Sequence, residues 1–280
     1  MLLREVEYVR PATVEEAISV LATYDGARPL AGGQTLLNVM KARAATPDVL
    51  VDLADLDELR AIGFSSDGIL EIGAMVTYTQ LQGSSEVEVA RPILAEVAAT
   101  IGDVQVRNRG TVGGNVCVSD PTNHLPVLLV ALDATFTIRG QHGERTVPAD
   151  EFFLGVYMTA VGEGELLTKV NVPPSSGAGD GFAGVTIGAH GTYIVNAAAS
   201  VSGDVARIAI GCVAAAPVRA TAMEKRLAGG FSEDAVRAAA EGLGASLDPP
   251  ADVHGSADYR RHLAEVSAMR AVLQAAERKK

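Results

Sequence analysis

Two pairs of adjacent glycines constrain this chain more than any other feature. Gly32-Gly33 lies in Ala31-Gly32-Gly33-Gln34-Thr35, directly after the apolar run that ends at Leu30. Gly113-Gly114 lies in Thr111-Val112-Gly113-Gly114-Asn115, ahead of Val116-Cys117-Val118-Ser119-Asp120-Pro121. Adjacent glycines permit positive φ and carry no Cβ, so a ligand can lie directly on the main chain. Where such a bend opens a helix, unpaired N–H groups favour an anion. A single glycine pair is ordinarily just a turn. Two of them, each with a threonine, suit a diphosphate gripped from both sides.

The remaining pattern alternates helices and strands. Thr13 and Glu16 form a capping-box pair ahead of Val14, Ala17, Ile18, Leu21 and Ala22, which recur at helical spacing. A strand ends at Leu30, Thr35 is placed to cap a helix that runs to Arg43, and Val49–Leu53 reads as a buried strand, giving a small β-α-β-α-β unit. Beyond it, 69–74 and 134–139 are strand-like. Residues 77–81 form a short helix, 86–100 a helix with Pro92 in its first turns, and 125–132 a helix apolar on all sides. Pro173 to Gly181 reads as a linker. After it come two strands joined at Gly203-Asp204, then two helices, one started by Ser232 and one capped by Asp258.

Composition removes several function classes. At 280 residues the chain can bury a large core, and two domains are expected, the first of them split. The net charge of −11 argues against nucleic acid, which wants a basic face. No apolar run approaches the roughly 20 residues that span a bilayer. The first ten residues, MLLREVEYVR, hold no apolar signal region, so a cytoplasmic protein is expected. The two cysteines, Cys117 and Cys212, make neither a CxxC pair nor a disulfide framework, and they are too few for an iron–sulfur cluster, which takes four thiolates. The five histidines have no ligand-like spacing, so no metal site is expected. A nicotinamide fingerprint fails as well: Gly162-Glu163-Gly164 has Leu167 where the third glycine belongs. No acid–base pair stands out, so no catalytic residue is expected in this chain.

Three longer strings carry a resemblance. These are PLAGGQTLLNVMKAR from Pro29, IGDVQVRNRGTVGGNVCVSDPTNHLP from Ile101, and HGSADYRRHLAEVSAMRA from His254. Together they resemble the FAD-binding medium subunit of the molybdenum hydroxylases, the xanthine dehydrogenase and aerobic carbon monoxide dehydrogenase family. The resemblance implies an α+β chain. A two-part FAD-binding domain of the vanillyl-alcohol-oxidase/PCMH type, with subdomains 1–55 and 56–173, is followed by a small α+β C-terminal domain, 182–280. It implies non-covalent FAD held by Ala31, Gly32, Gly33, Gln34 and Thr35 on one side and by Thr111, Gly113, Gly114 and Asn115 on the other. Ile101 and Leu167 would line the pocket, and Tyr193 would lie near the isoalloxazine ring.

Two departures from the family pattern stand out. His124 occupies the place of a usual aspartate that accepts a bond from a ribityl hydroxyl; His124, Asn123 or Asp120 could accept it here. The stretch from Gly184 to Thr192 lacks the usual charges and keeps only His190. Arg107 and Arg109 could offset the diphosphate charge or tie down their own loop. The implied partners are a small subunit with two [2Fe-2S] clusters and a large molybdopterin subunit, assembled as a dimer of heterotrimers. Two alternatives remain open: a self-contained flavin oxidoreductase of the same fold, and a structural subunit that has lost its flavin.

Overall fold

The computed structural model describes residues 3–188 and 192–279. Its first unit is a three-stranded parallel sheet with Val49–Asp52 in the centre, flanked by Glu7–Val9 and Ala27–Leu30. The central strand is buried at every position. Helix Val14–Thr23 makes the crossover, with Val14, Ala17, Ile18 and Leu21 turned inward. Thr13 caps it by accepting from the Glu16 N–H at 3.1 Å. The Glu16 carboxylate accepts from Ala12, one residue short of the reciprocal bond expected at Thr13.

The second unit is a five-stranded antiparallel sheet, ordered Ile62–Phe64, Leu70–Gly73, Leu166–Val172, Thr135–Gly140, Gly143–Pro148. Short helices pack with it around Phe136, Phe152, Leu128 and Leu129. The single helix expected over 86–100 is two, Ser85–Ala90 and Pro92–Ala99. A residue before proline is pushed out of the helical region, and Arg91 sits at φ −154°, ψ 77°. The break turns Arg91 inward. Its Nη1 reaches both carboxylate oxygens of Asp180 at 2.8 and 2.9 Å, and its remaining N–H groups reach the carbonyls of Pro173 and Pro174.

The third unit is an antiparallel sheet of Gly179–Ile187, Thr192–Ser202, Val205–Gly211 and Val218–Arg219, with the long helix Ala257–Arg278 across one face. The glycine-rich stretch expected to be a linker ends inside this sheet, because Gly179 already opens its first strand. Gly179 and Gly181 share one face of the strand, and a Cβ on them would overlap the carbonyl oxygens of Ala275 and Ala271, one helical turn apart. These glycines let the helix lie directly on the sheet. The helix is capped by Ser256, which accepts from the Tyr259 N–H at 3.2 Å. Asp258 does not cap it and instead pairs with Arg261 at 2.7 Å.

The last two units share a core. Every residue of helix Leu125–Ala131 is buried, and Ala198 and Ala209 from the third sheet join the cluster built around it. Ala197 and Ala199, on the opposite face of the same strand, pack with the long helix.

Candidate functional site

The first glycine turn leaves the strand at Leu30 and enters helix Leu36–Lys41. Gly33 has φ +72°, a left-handed conformation that favours glycine. The N–H groups of Gly32, Gly33, Gln34 and Thr35 find no acceptor among the described residues. Thr35 does not cap the helix: its backbone is already helical and its hydroxyl makes no bond to the helix N–H groups or to any other of the described residues. Four free N–H groups and a free hydroxyl on one bend suit an anionic ligand.

The second turn is built differently. Thr111 caps helix Val112–Val118 by accepting from the Gly114 N–H at 3.0 Å. The N–H of Val112 bonds to Val76, that of Gly113 to Ala74, and that of Asn115 to Thr111. Its donors are thus taken by its own helix and by the segment after Leu70–Gly73. The expectation that both turns offer free N–H groups holds only for the first. A Cβ on Gly113 would stand 2.6 Å from the Cβ of Ala74. On Gly114 it would stand 2.9 Å from the Thr111 hydroxyl and 3.7 Å from the Cβ of Ala31. Gly114 therefore faces the first turn. The turns touch at Gly32, whose Cβ would overlap the Arg109 carbonyl oxygen and lie 3.0 Å from the Cα of Gly110.

A line of polar side chains runs from there to the third sheet. Asn115 donates to the Tyr78 hydroxyl at 3.0 Å, Asn123 donates to the Asn115 carbonyl at 3.0 Å, and Asn196 donates to the Asn123 carbonyl at 3.5 Å. Burial pushes the Tyr78 phenol up to about 12. Three buried atoms on this line or beside it have no partner among the described residues: Asn115 Oδ1, Asn196 Oδ1 and His124 Nε2. Unpaired buried polar atoms are costly, and they fit the hydroxyl groups of a neutral polyol chain.

His124 is 6% exposed, and burial pushes its imidazole down to about 4, so it is neutral near pH 7. Its ring meets Tyr193 edge-on at 4.7 Å and lies parallel to Phe182 at 6.4 Å. Tyr193 covers Gly184, where a Cβ would stand 2.6 Å from the tyrosine ring. The Tyr193 hydroxyl lies towards Thr100 and buried Ile101, and burial raises its pKa.

Other expected residues lie elsewhere or are already engaged. Asp120 accepts from the Thr122 N–H and hydroxyl at 2.9 and 2.8 Å and from the Tyr157 hydroxyl at 3.4 Å. Leu167 is 2% exposed inside the second core. Arg107 ties down its own loop through the carbonyls of Ile101 and Gly102, while the Arg109 side chain has no partner among the described residues. His190 lies outside the described residues. Among these, no His, Cys, Asp and Glu cluster could hold a metal.

Sequence reading passed over Gly110, Tyr78, Thr100, Phe182 and Asn196. Asn196 left a readable signal, as the lone amide in the apolar strand run 194–199. The others act through contacts made in three dimensions.

Facing glycine turns, the first with free backbone donors, backed by unpaired neutral polar atoms and an aromatic, suit a dinucleotide with a polyol chain. Residues 4–175 match the FAD binding domain in molybdopterin dehydrogenase, and residues 182–275 match the CO dehydrogenase flavoprotein C-terminal domain. The chain belongs to this family, the FAD-binding medium subunits of molybdenum hydroxylases, and is an oxidoreductase subunit. It is 37% identical over 281 residues to the carbon monoxide dehydrogenase medium chain of Hydrogenophaga pseudoflava, covering 97% of each. It is 35% identical over 278 residues to the glyceraldehyde dehydrogenase medium chain of Sulfolobus acidocaldarius, covering 97% of this chain and 99% of that one. Over 100% of both chains it superposes with a TM-score of 0.95, at 38% identity, on the solved carbon monoxide dehydrogenase from Hydrogenophaga pseudoflava that lacks the Mo-pyranopterin moiety of the molybdenum cofactor. The family, the α+β fold and FAD expected from the sequence stand. Among the described residues no helix is long and apolar enough to cross a membrane.

Proposed function

We propose that this chain is the FAD-carrying electron-transfer subunit of a cytoplasmic molybdenum hydroxylase. It takes electrons from iron–sulfur clusters on a small partner, which are fed by molybdopterin on a large one, and passes them to an external acceptor. The assembly is a dimer of heterotrimers, and within the chain the working divisions are 1–55, 56–173 and 182–280. The carrying observation is the apposition of the two glycine turns with the first turn's N–H groups free.

Bound FAD supplies reversible electron exchange, and the chain supplies binding, orientation and electrostatics. Gly32, Gly33, Gln34 and Thr35 hold the diphosphate by backbone donors and the Thr35 hydroxyl, with Ala31 as the packed edge of the turn. Gly114 keeps the opposite wall free of a side chain, Gly113 lets its helix pack on Ala74, and Thr111 caps that helix. Asn115 and His124 meet the ribityl hydroxyls, and Asp120 shapes the loop between them. Ile101 and Tyr193 shield the ring, and Leu167 backs them from within the core of the second unit. Relatives of similar identity are named for carbon monoxide and for glyceraldehyde, which supports placing substrate choice on a partner subunit.

The test is a visible spectrum of the purified chain. Flavin bands near ~370 and ~450 nm are expected, with the flavin released into solution by acid precipitation. A colourless chain would favour a structural subunit. Steady substrate turnover by the lone chain would favour a self-contained oxidoreductase.

A further inference from the structure

Four large apolar side chains stand out of the surface together. Leu154, Val156, Tyr157 and Met158 are 58%, 49%, 67% and 57% exposed, around the buried Gly155. They form the tip of the hairpin that pairs Phe153–Gly155 with Met158–Thr159. Isolated exposed apolar residues such as Val89 or Val253 need no explanation, but a contiguous group marks an interaction site.

The tip is held rigidly. Tyr157 and Ser119 are both non-glycine residues in left-handed conformations, at φ 57° and 48°. Each such residue is strained, and here the two are locked together. The Tyr157 N–H donates to the Ser119 carbonyl at 3.0 Å, and the Ser119 hydroxyl donates to the Gly155 carbonyl at 2.9 Å. Ser119 ends helix Val112–Val118, the helix opened by the second glycine turn. These two hydrogen bonds thus fix an apolar tip at the far end of the helix that frames the cofactor site, with its four large side chains left about half exposed or more.

The surroundings are acidic. From 149 to 165 the chain carries Asp150, Glu151, Glu163 and Glu165 and no lysine or arginine. Arg145 neutralises Glu165 at 2.6 Å. Asp120, Asp150 and Glu151 have no cationic partner among the described residues, and Asp120 contacts the Tyr157 hydroxyl. A complementary surface is an apolar recess bordered by lysine or arginine.

We infer that this hairpin docks the partner subunit that delivers electrons to the flavin, through an apolar recess with a basic rim on that subunit. The inference rests on the electron-transfer reading above, and the position of the tip beside the cofactor helix selects the delivering subunit over others.

The test uses the complex purified from cells that make all its subunits, with this chain carrying Leu154→Arg and Met158→Arg. Both side chains are exposed, so the chain is expected to fold and keep its flavin while its association with the electron-delivering subunit weakens at least tenfold. Tyr157→Arg alone provides a second variant should the first fold poorly. Asp150→Asn with Glu151→Gln is expected to weaken association at low salt, with the difference fading at high salt. Unchanged subunit stoichiometry in the arginine variants overturns the inference. So does a lone parent chain that dimerises and becomes monomeric on Leu154→Arg and Met158→Arg, since the occupant is then a second copy. Flavin content is read separately, so a flavin-free parent overturns the functional reading without deciding the docking result.

Discussion

The carbonyl oxygen of Arg109 occupies the space where a side chain on Gly32 would begin. The two glycine turns are therefore fitted to one another before any ligand arrives. Gly32→Ala must push Arg109 and Gly110 away, and overpacking of this kind costs about 1–3 kcal/mol. FAD affinity is expected to fall more than tenfold. Gly114→Ala meets only the Thr111 hydroxyl at 2.9 Å and then Ala31 at 3.7 Å, so it should cost less stability while still narrowing the cradle. Fluorescence titration of the apo variants with FAD, beside a urea melt, checks both. Parent-like affinity in Gly32→Ala would show that the turns do not set the site.

His124 gives stability a pH dependence. Its folded value, about 4, lies below the ordinary imidazole value of 6.5 because burial disfavours the charged ring. The unfolded chain therefore binds the proton more readily, and stability falls as pH drops from 6.5 towards 4. The shift corresponds to roughly 3 kcal/mol at its limit. Urea midpoints between pH 7.5 and 4 measure it, and His124→Gln should flatten the curve across that window. An equal slope in the variant would place the effect elsewhere.

Tyr193→Ala removes the ring that covers Gly184 and meets His124. FAD binding is expected to weaken by roughly 1–3 kcal/mol, on the scale of a buried aromatic contact. The opened site should also react faster with oxygen. Tyr193→Phe keeps the ring, loses only the hydroxyl, and should stay near the parent. Calorimetric titration with FAD separates the two; equal affinity of Tyr193→Ala and the parent would remove Tyr193 from the ring's surroundings.

Arg91 is the buried tie between the second and third units. Breaking a buried pair from one side strands the other charge, so Arg91→Ala should cost about 3–5 kcal/mol. The pair is buried on both sides, at 5% and 6% side-chain exposure. Replacing both partners with apolar residues should recover much of the loss, and a double-mutant cycle by urea unfolding reads the difference. Strict additivity would mean that the pair does not couple the units.

Much of this was legible in the sequence because it was local. The caps Thr13 and Ser232, the strands around Val49, Ile72 and Phe136, and the all-round apolar helix at Leu125 follow from neighbours a few positions away. Errors arose where distant partners decide. Gly179 and Gly181 look like linker residues until a helix nearly a hundred positions later needs to touch them. Arg91 breaks a helix because Asp180 is there to receive it. The second turn's N–H groups look free until Ala74 and Val76 are brought alongside. The roles of Asn196 and Phe182 follow from the same cause, since the third sheet meets the cradle only after folding.

Helix Leu125–Ala131 has no outer face. One side is packed by the second unit and another by Ala198, Ala209 and the segment at Gly211, where a Cβ would overlap Val127. Neither half of the molecule can melt without unroofing it. The chain should therefore show one calorimetric transition, with the measured and van't Hoff enthalpies equal. In a cell such a chain has no half-folded resting form for proteases to trim, and it is kept or destroyed whole.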